Sequence, residues 1–140
     1  MKTFTAATFA ATLLLAGCSD SAMDDVHSAP RETQAWENAD IGTYDQTQLL
    51  ARLSLLASES VAAAAAGQSI EFHHLEVAMT PTLTALEAKA VGNEKAIETI
   101  TTLKDLAVKL HIAGHDGNVG VGAKLGAAIT DLSARLATEL

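Results

Sequence analysis

The sequence is poor in most of the residues that make chemistry easy to read. It holds one cysteine, Cys18, so no disulfide can form within the chain and no thiolate cluster can bind a metal. Basic residues are scarce: nine Lys and Arg stand against seventeen Asp and Glu, for a net charge of -8. A nucleic-acid binder needs cationic side chains to displace counterions from phosphates, and the balance argues against that class. It equally disfavours electrostatic docking on anionic lipid. Aromatic residues make up only 4% of the chain, and beyond residue 35 the large rings are Trp36, Tyr44 and Phe72. A core of Leu, Ile, Val and Ala suits closely packed helices better than a sandwich. No alternating strand pattern of useful length occurs. Neither a Gly-x-Ser-x-Gly elbow nor a His-Glu-x-x-His pair is present, so a non-enzymatic protein is expected.

Two glycine-rich patterns resemble nucleotide motifs without completing them. Gly117 to Lys124 approximates a phosphate loop, but Ala123 separates Gly122 from Lys124 and no hydroxyl residue follows. Gly120, Gly122 and Gly126 approach the dinucleotide fingerprint, with no strand before them. Glycines spaced by four instead permit a tight turn and then a close helix approach.

What is present begins at the amino end. One Lys, an apolar run from Phe4 to Leu15 and a close of small residues form an export leader, too short to span a bilayer comfortably. The stretch Leu15-Ala16-Gly17-Cys18 resembles the lipobox of bacterial lipoproteins. The resemblance implies cleavage before Cys18 and acylation of that residue, giving a membrane partner through a lipid anchor. It also implies the periplasmic face of the outer membrane, because Ser19 and not Asp follows the cysteine; the inner membrane is the lesser alternative. The expected organisation is residues 1–17 as leader, 18–43 as a flexible polar tether containing His27 and Pro30, and 44–140 as the folded domain. Trp36 is expected to pack on that domain or touch the bilayer.

Four helical segments follow from apolar residues recurring at three and four. Leu49, Leu53, Leu56 and Ser60 form the first stripe, which Gly67 can end. Phe72, Leu75, Met79, Leu83, Leu86 and Ala90 form the second, with Ser69 as its cap. Pro81 removes a hydrogen bond to Val77, so a kink or a restart capped by Thr80 is expected there. Gly92 and Asn93 stop one helix and cap the next. Ile97, Ile100, Leu103, Ala107 and Leu110 form the third stripe, broken from Gly114 to Asn118. Val121, Leu125, Ala128, Leu132 and Leu136 form the fourth. The expected fold is all-α, an antiparallel up-down four-helix bundle.

Four histidines of this domain fall in two places. His73 lies nineteen residues before Gly92 and His111 nineteen after it. Each helical residue climbs about 1.5 Å, so a hairpin folded at Gly92 brings His73 and His74 level with His111 and His115. Glu71, Glu76 and Asp116 share that level. On a helical wheel His111 faces the apolar stripe, His73 and Glu76 lie on its edge, and His74 points largely away. Imidazoles with one carboxylate suit Zn(II), Cu(II) or Ni(II). The candidate ligands are His73, His111, His115 and Glu76, with His74, Glu71, Asp116 and Met79 as outer partners. Glu71 and His74 have the Glu-x-x-His spacing of di-iron bundles, in a single copy only. Haem held by His111 is a weaker alternative, and covalent c-type attachment lacks its Cys-x-x-Cys-His. Without any ligand, the domain would serve as an interaction or structural module for another envelope protein.

Phe72-His73-His74-Leu75-Glu76 and Leu110-His111-Ile112-Ala113-Gly114-His115-Asp116 loosely resemble uncharacterised periplasmic helical-hairpin families. They are more distantly similar to b-type cytochrome bundles, whose Met and His end ligands have no counterparts here. No residue role is carried over from either.

Overall fold

A computed structural model describes residues 36–140. The expected leader, Cys18, His27 and the expected tether as far as residue 35 lie outside the described residues. Among the described residues the fold is built of four long helices: α1 (Gln46–Ala65), α2 (Glu71–Lys89), α3 (Glu94–His115) and α4 (Val119–Glu139). No strand occurs among the described residues. Each helix packs on its neighbours in sequence, and α4 closes the ring on α1. Contacts between α2 and α3 run in opposite chain order, Glu76 meeting His111 and Glu87 meeting Lys104. At the ring closure, Gln46 Nε2 at the start of α1 donates to the Leu140 carbonyl just past the end of α4.

Local chemistry sets the helix ends. Asp45 and Gln48 form a capping box, each side chain accepting from the other's backbone N–H at 2.8 and 2.9 Å. Asn93 and Asn118 cap α3 and α4 by accepting from Ala96 and Val121. Helices α1 and α3 end alike. Gly67 and Gly117 take positive φ, so that Gln68 and Asn118 return a hydrogen bond to the Ala63 and Ala113 carbonyls. Ser69 does not cap α2; its N-cap is Ile70, without a side-chain bond.

The first three stripes face inward as expected. Leu49, Leu53 and Leu56 meet Phe72, Leu75, Met79, Leu83 and Leu86, with Ile100, Leu103 and Leu110 completing the layers, all almost fully buried. Each such side chain contributes roughly 1.5–3 kcal/mol on leaving water. Helix α4 is rotated about one residue from the expected face. Its buried residues are Gly122, Gly126, Ile129, Ser133 and Leu136, while Val121 is exposed and Leu125, Ala128 and Leu132 are half-buried. Small residues occupy the interior because neighbouring elements come too close for larger ones: a Cβ on Gly126 would lie 3.2 Å from the Ser60 carbonyl carbon.

Residues 36–43, expected as tether, pack on the bundle. Trp36, Ile41 and Tyr44 lie against the core. The Trp36 carbonyl accepts from Arg52 Nη2, and Arg52 Nε donates to Thr82 Oγ1 at 3.0 Å. At the opposite chain end, Glu139 ties α4 to the start of α3. Its backbone carbonyl accepts from Asn93 Nδ2 at 2.6 Å, and its carboxylate meets Arg135 at 2.7 Å and Lys95 at 3.7 Å.

Helix α2 runs unbroken through Pro81, so the expected restart does not occur. Thr80 bonds Glu76 instead of capping a new helix. Val77, Thr80, Pro81 and Thr84 are exposed, which leaves the carbonyl deprived by the ring on the wet side, where water can satisfy it. Interior proline still costs about 3 kcal/mol against alanine, offset by up to about 1 kcal/mol of unfolded-state stiffness. Pro81→Ala is therefore expected to stabilise the fold by about 2 kcal/mol, read as a higher denaturant midpoint at unchanged slope.

The Glu139 carboxyl is held below the usual range, first by the Thr99 hydroxyl and then by Arg135 and Lys95, against the opposing effect of burial. A depressed carboxyl stabilises the fold above its unfolded range and ceases to do so as pH falls. Wild type should therefore melt above Glu139→Gln at neutral pH, with the gap closing on acidification. A gap that is constant from pH 7 to pH 3 would show that Glu139 titrates alike in both states.

Candidate metal centre

Folding α2 and α3 about Gly92 sets the first turn of one beside the last turn of the other. Helix α3 continues past Gly114 to His115, so Gly114 is not the break expected from sequence; the chain turns at Gly117. Gly114 acts through its missing side chain. A Cβ there would lie 3.0 Å from the Ser69 carbonyl oxygen, 3.2 Å from Phe72 Cβ and 3.3 Å from the His73 nitrogen. The end of α3 thus rests directly on the backbone that carries His73. Phe72 fixes the same turn from the other side, its ring filling the space where a Cβ on Gly122 of α4 would stand.

Three imidazoles converge as a result. The His73 ring centre lies 4.5 Å from that of His111 and 5.5 Å from that of His115, and His111 and His115 are 4.7 Å apart. One ring nitrogen from each lies within 4.8 Å of the other two. His73 and His111 are half-buried and His115 is exposed, so the cluster opens to solvent on one side. Metal–imidazole bonds of 2.0–2.1 Å in a tetrahedron place ligand nitrogens about 3.3 Å apart. The observed separations, from 3.0 Å between the two Nε2 atoms of His111 and His115, bracket that spacing.

Hydrogen bonds fix how His111 is used. Glu76 Oε2 lies 3.1 Å from His111 Nδ1, and Glu76 Oε1 accepts from the Thr80 hydroxyl at 2.7 Å. An ionised carboxylate only accepts, so Nδ1 carries the hydrogen and Nε2 presents its lone pair toward His115. Without an ion, His115 Nε2 must supply the hydrogen between them. An ion held there would require His115 to carry its hydrogen on Nδ1, so that both Nε2 lone pairs could face it. A carboxylate behind a histidine in this manner orients the ring and raises its basicity.

The other sequence-selected residues add no atom to that converging set. Glu76 was expected as a ligand, but it sits behind His111. His74 was expected to point outward, yet it is 2% exposed. Its Nδ1 is bonded to Glu37 of the amino-terminal segment, and its Nε2 is buried without a hydrogen-bond partner. Glu71 is buried in the first turn of α2, and Asp116 is an exposed C-cap. Met79 lies in the apolar core. Sequence reasoning missed Gly114, Thr80 and Glu37 as contributors. Only Gly114 carries a signal, as a small residue between two histidines one turn apart.

A side chain at position 114 must push against backbone, which cannot move aside as a flexible side chain would. Gly114→Val is expected to destabilise the fold by about 2 kcal/mol, in the range of overpacking. Gly120→Val is the control, because the nearest atom to a Cβ there is Asn118 Oδ1 at 3.8 Å. Equal losses in chemical denaturation would remove the close seating of α3 on α2. Compared with known proteins, the chain matches no family model, no curated protein and no solved structure.

Proposed function

We propose that the chain is a lipid-anchored cell-envelope protein whose helical bundle binds a divalent transition-metal ion through His73, His111 and His115, as a binding module and not an enzyme. The observation that carries the metal reading is the meeting of three imidazole nitrogens within 4.8 Å, one of them backed by Glu76. Neutral nitrogen ligands suit Zn(II), Cu(II) and Ni(II) ahead of Mg(II) or Ca(II), which prefer oxygen. The anchor rests on the leader and Leu15-Ala16-Gly17-Cys18, with acylation at Cys18 and the periplasmic face of the outer membrane as the address.

A second reading is an interaction module for another envelope protein. Exposed Val108, Ile112 and Val121 form an apolar row with half-buried Leu125. Ile112, Val121 and Leu125 line one groove between α3 and α4 beside Lys109 and Asp116.

Elemental analysis and zinc titration of protein carrying no polyhistidine tag distinguish the two. Metal at one hundred times its dissociation constant should add about 2.7 kcal/mol to stability, or roughly 10–20 °C in melting temperature for a domain of this size. His111→Ala should abolish that gain. Glu76→Gln should weaken binding by roughly 10–100-fold, as outer partners of metal ligands do. No bound metal and no melting shift with Zn(II), Cu(II) or Ni(II) would leave the interaction reading standing.

A further inference from the structure

We infer that the three-histidine site, once loaded, keeps one coordination position open to solvent and takes a small monodentate anion there. This rests on the metal reading proposed above and says what that site would bind in turn. Zinc and cobalt in protein sites are satisfied by four ligands, and closed structural sites draw all four from protein. Here three converge, and no carboxylate joins that set among the described residues.

The neighbouring donors are committed elsewhere. Both oxygens of Glu76 are engaged, one by His111 and the other by Thr80. His74 gives its Nδ1 to Glu37, and its Nε2 does not join the converging nitrogens. Asp116 is exposed beyond the end of α3, and Glu71 is buried within the first turn of α2; neither belongs to the converging set. His115 is exposed while His73 and His111 are half-buried, so the fourth position lies on the wet side of the cluster.

Charge favours an anion over a neutral ligand. Three neutral imidazoles leave the double charge of the ion uncancelled, and the single carboxylate of Glu76 acts from behind one ring. With no anion supplied, water takes the position.

Cobalt(II) replaces zinc in such sites and reports its ligands in its visible spectrum. The full chain, purified in detergent without a polyhistidine tag, is loaded with one equivalent of Co(II) and titrated with azide. The expected result is an intense four-coordinate spectrum that moves to a second form through an isosbestic point, saturating at one azide per cobalt. A strong spectrum that azide leaves unchanged overturns the open position while keeping the metal site. Collapse to the weak spectrum of aqueous cobalt also overturns it, because azide then strips the ion instead of joining it. Failure of Co(II) to bind, or equal binding by His111→Ala, overturns the metal reading and this inference with it.

Discussion

The contact on which the rest depends is the seating of the last turn of α3 against the first turn of α2, made possible because position 114 has no side chain. Backbone at Ser69 and His73 lies within 3.0 and 3.3 Å of where a Cβ would stand, so the spacing between the helices is set largely by peptide groups and not by adaptable side chains. That matters for the histidines. Imidazole nitrogens that must converge to a few ångströms cannot be placed by long flexible contacts, whose ends wander by as much. Phe72 adds the second restraint by pressing its ring on Gly122 of α4. The apolar core thereby holds in place the residue immediately before His73.

Apolar periodicity gave a sound reading wherever large side chains face inward. The stripes of α1, α2 and α3 are buried except for half-buried Ile97, and equal counting from Gly92 sets His73 beside His111 because helical rise is uniform. The departures have separate physical causes. In α4 the inward residues are Gly122, Gly126 and Ser133, so a search for large apolar residues selected the neighbouring row. Gly114 reads as a breaker because isolated helices disfavour glycine, whereas tertiary contact retains it for its small size. Pro81 reads as a kink or restart because its ring deprives a carbonyl of its partner, and its exposed setting softens that loss. A polar composition suggested a tether up to residue 43, although Trp36, Ile41 and Tyr44 supply enough apolar surface to hold the last stretch on the bundle.

Glu76 shows why a donor type found at the correct level does not by itself make a ligand. Its position on the edge of α2 brings it to His111, but the far nitrogen of that ring faces the other imidazoles, and the carboxylate reaches the near one. The order Thr80, Glu76, His111 fixes which nitrogen carries hydrogen, and so which lone pair is offered to the cluster. Sequence spacing places residues on a level; it does not say which atom of a ring faces inward.

The amino-terminal segment approaches the same site from the opposite side of α2. Glu37 holds His74, the residue next to His73, while Arg52 holds the Trp36 carbonyl and Thr82. Burial pulls the Arg52 guanidinium below its ordinary pKa, with Tyr44 opposing. Its hydrogen bonds to an oxygen on each side therefore compensate water lost on folding. Because Glu37 accepts at His74 Nδ1, that ring is held to the segment, touching His73 edge-on at 5.3 Å without joining the converging nitrogens. Two adjacent histidines thus take different roles: His74 serves the packing of the chain before α1, and His73 is left to the cluster. Their consecutive positions, about 100° apart on one helix, make that division possible.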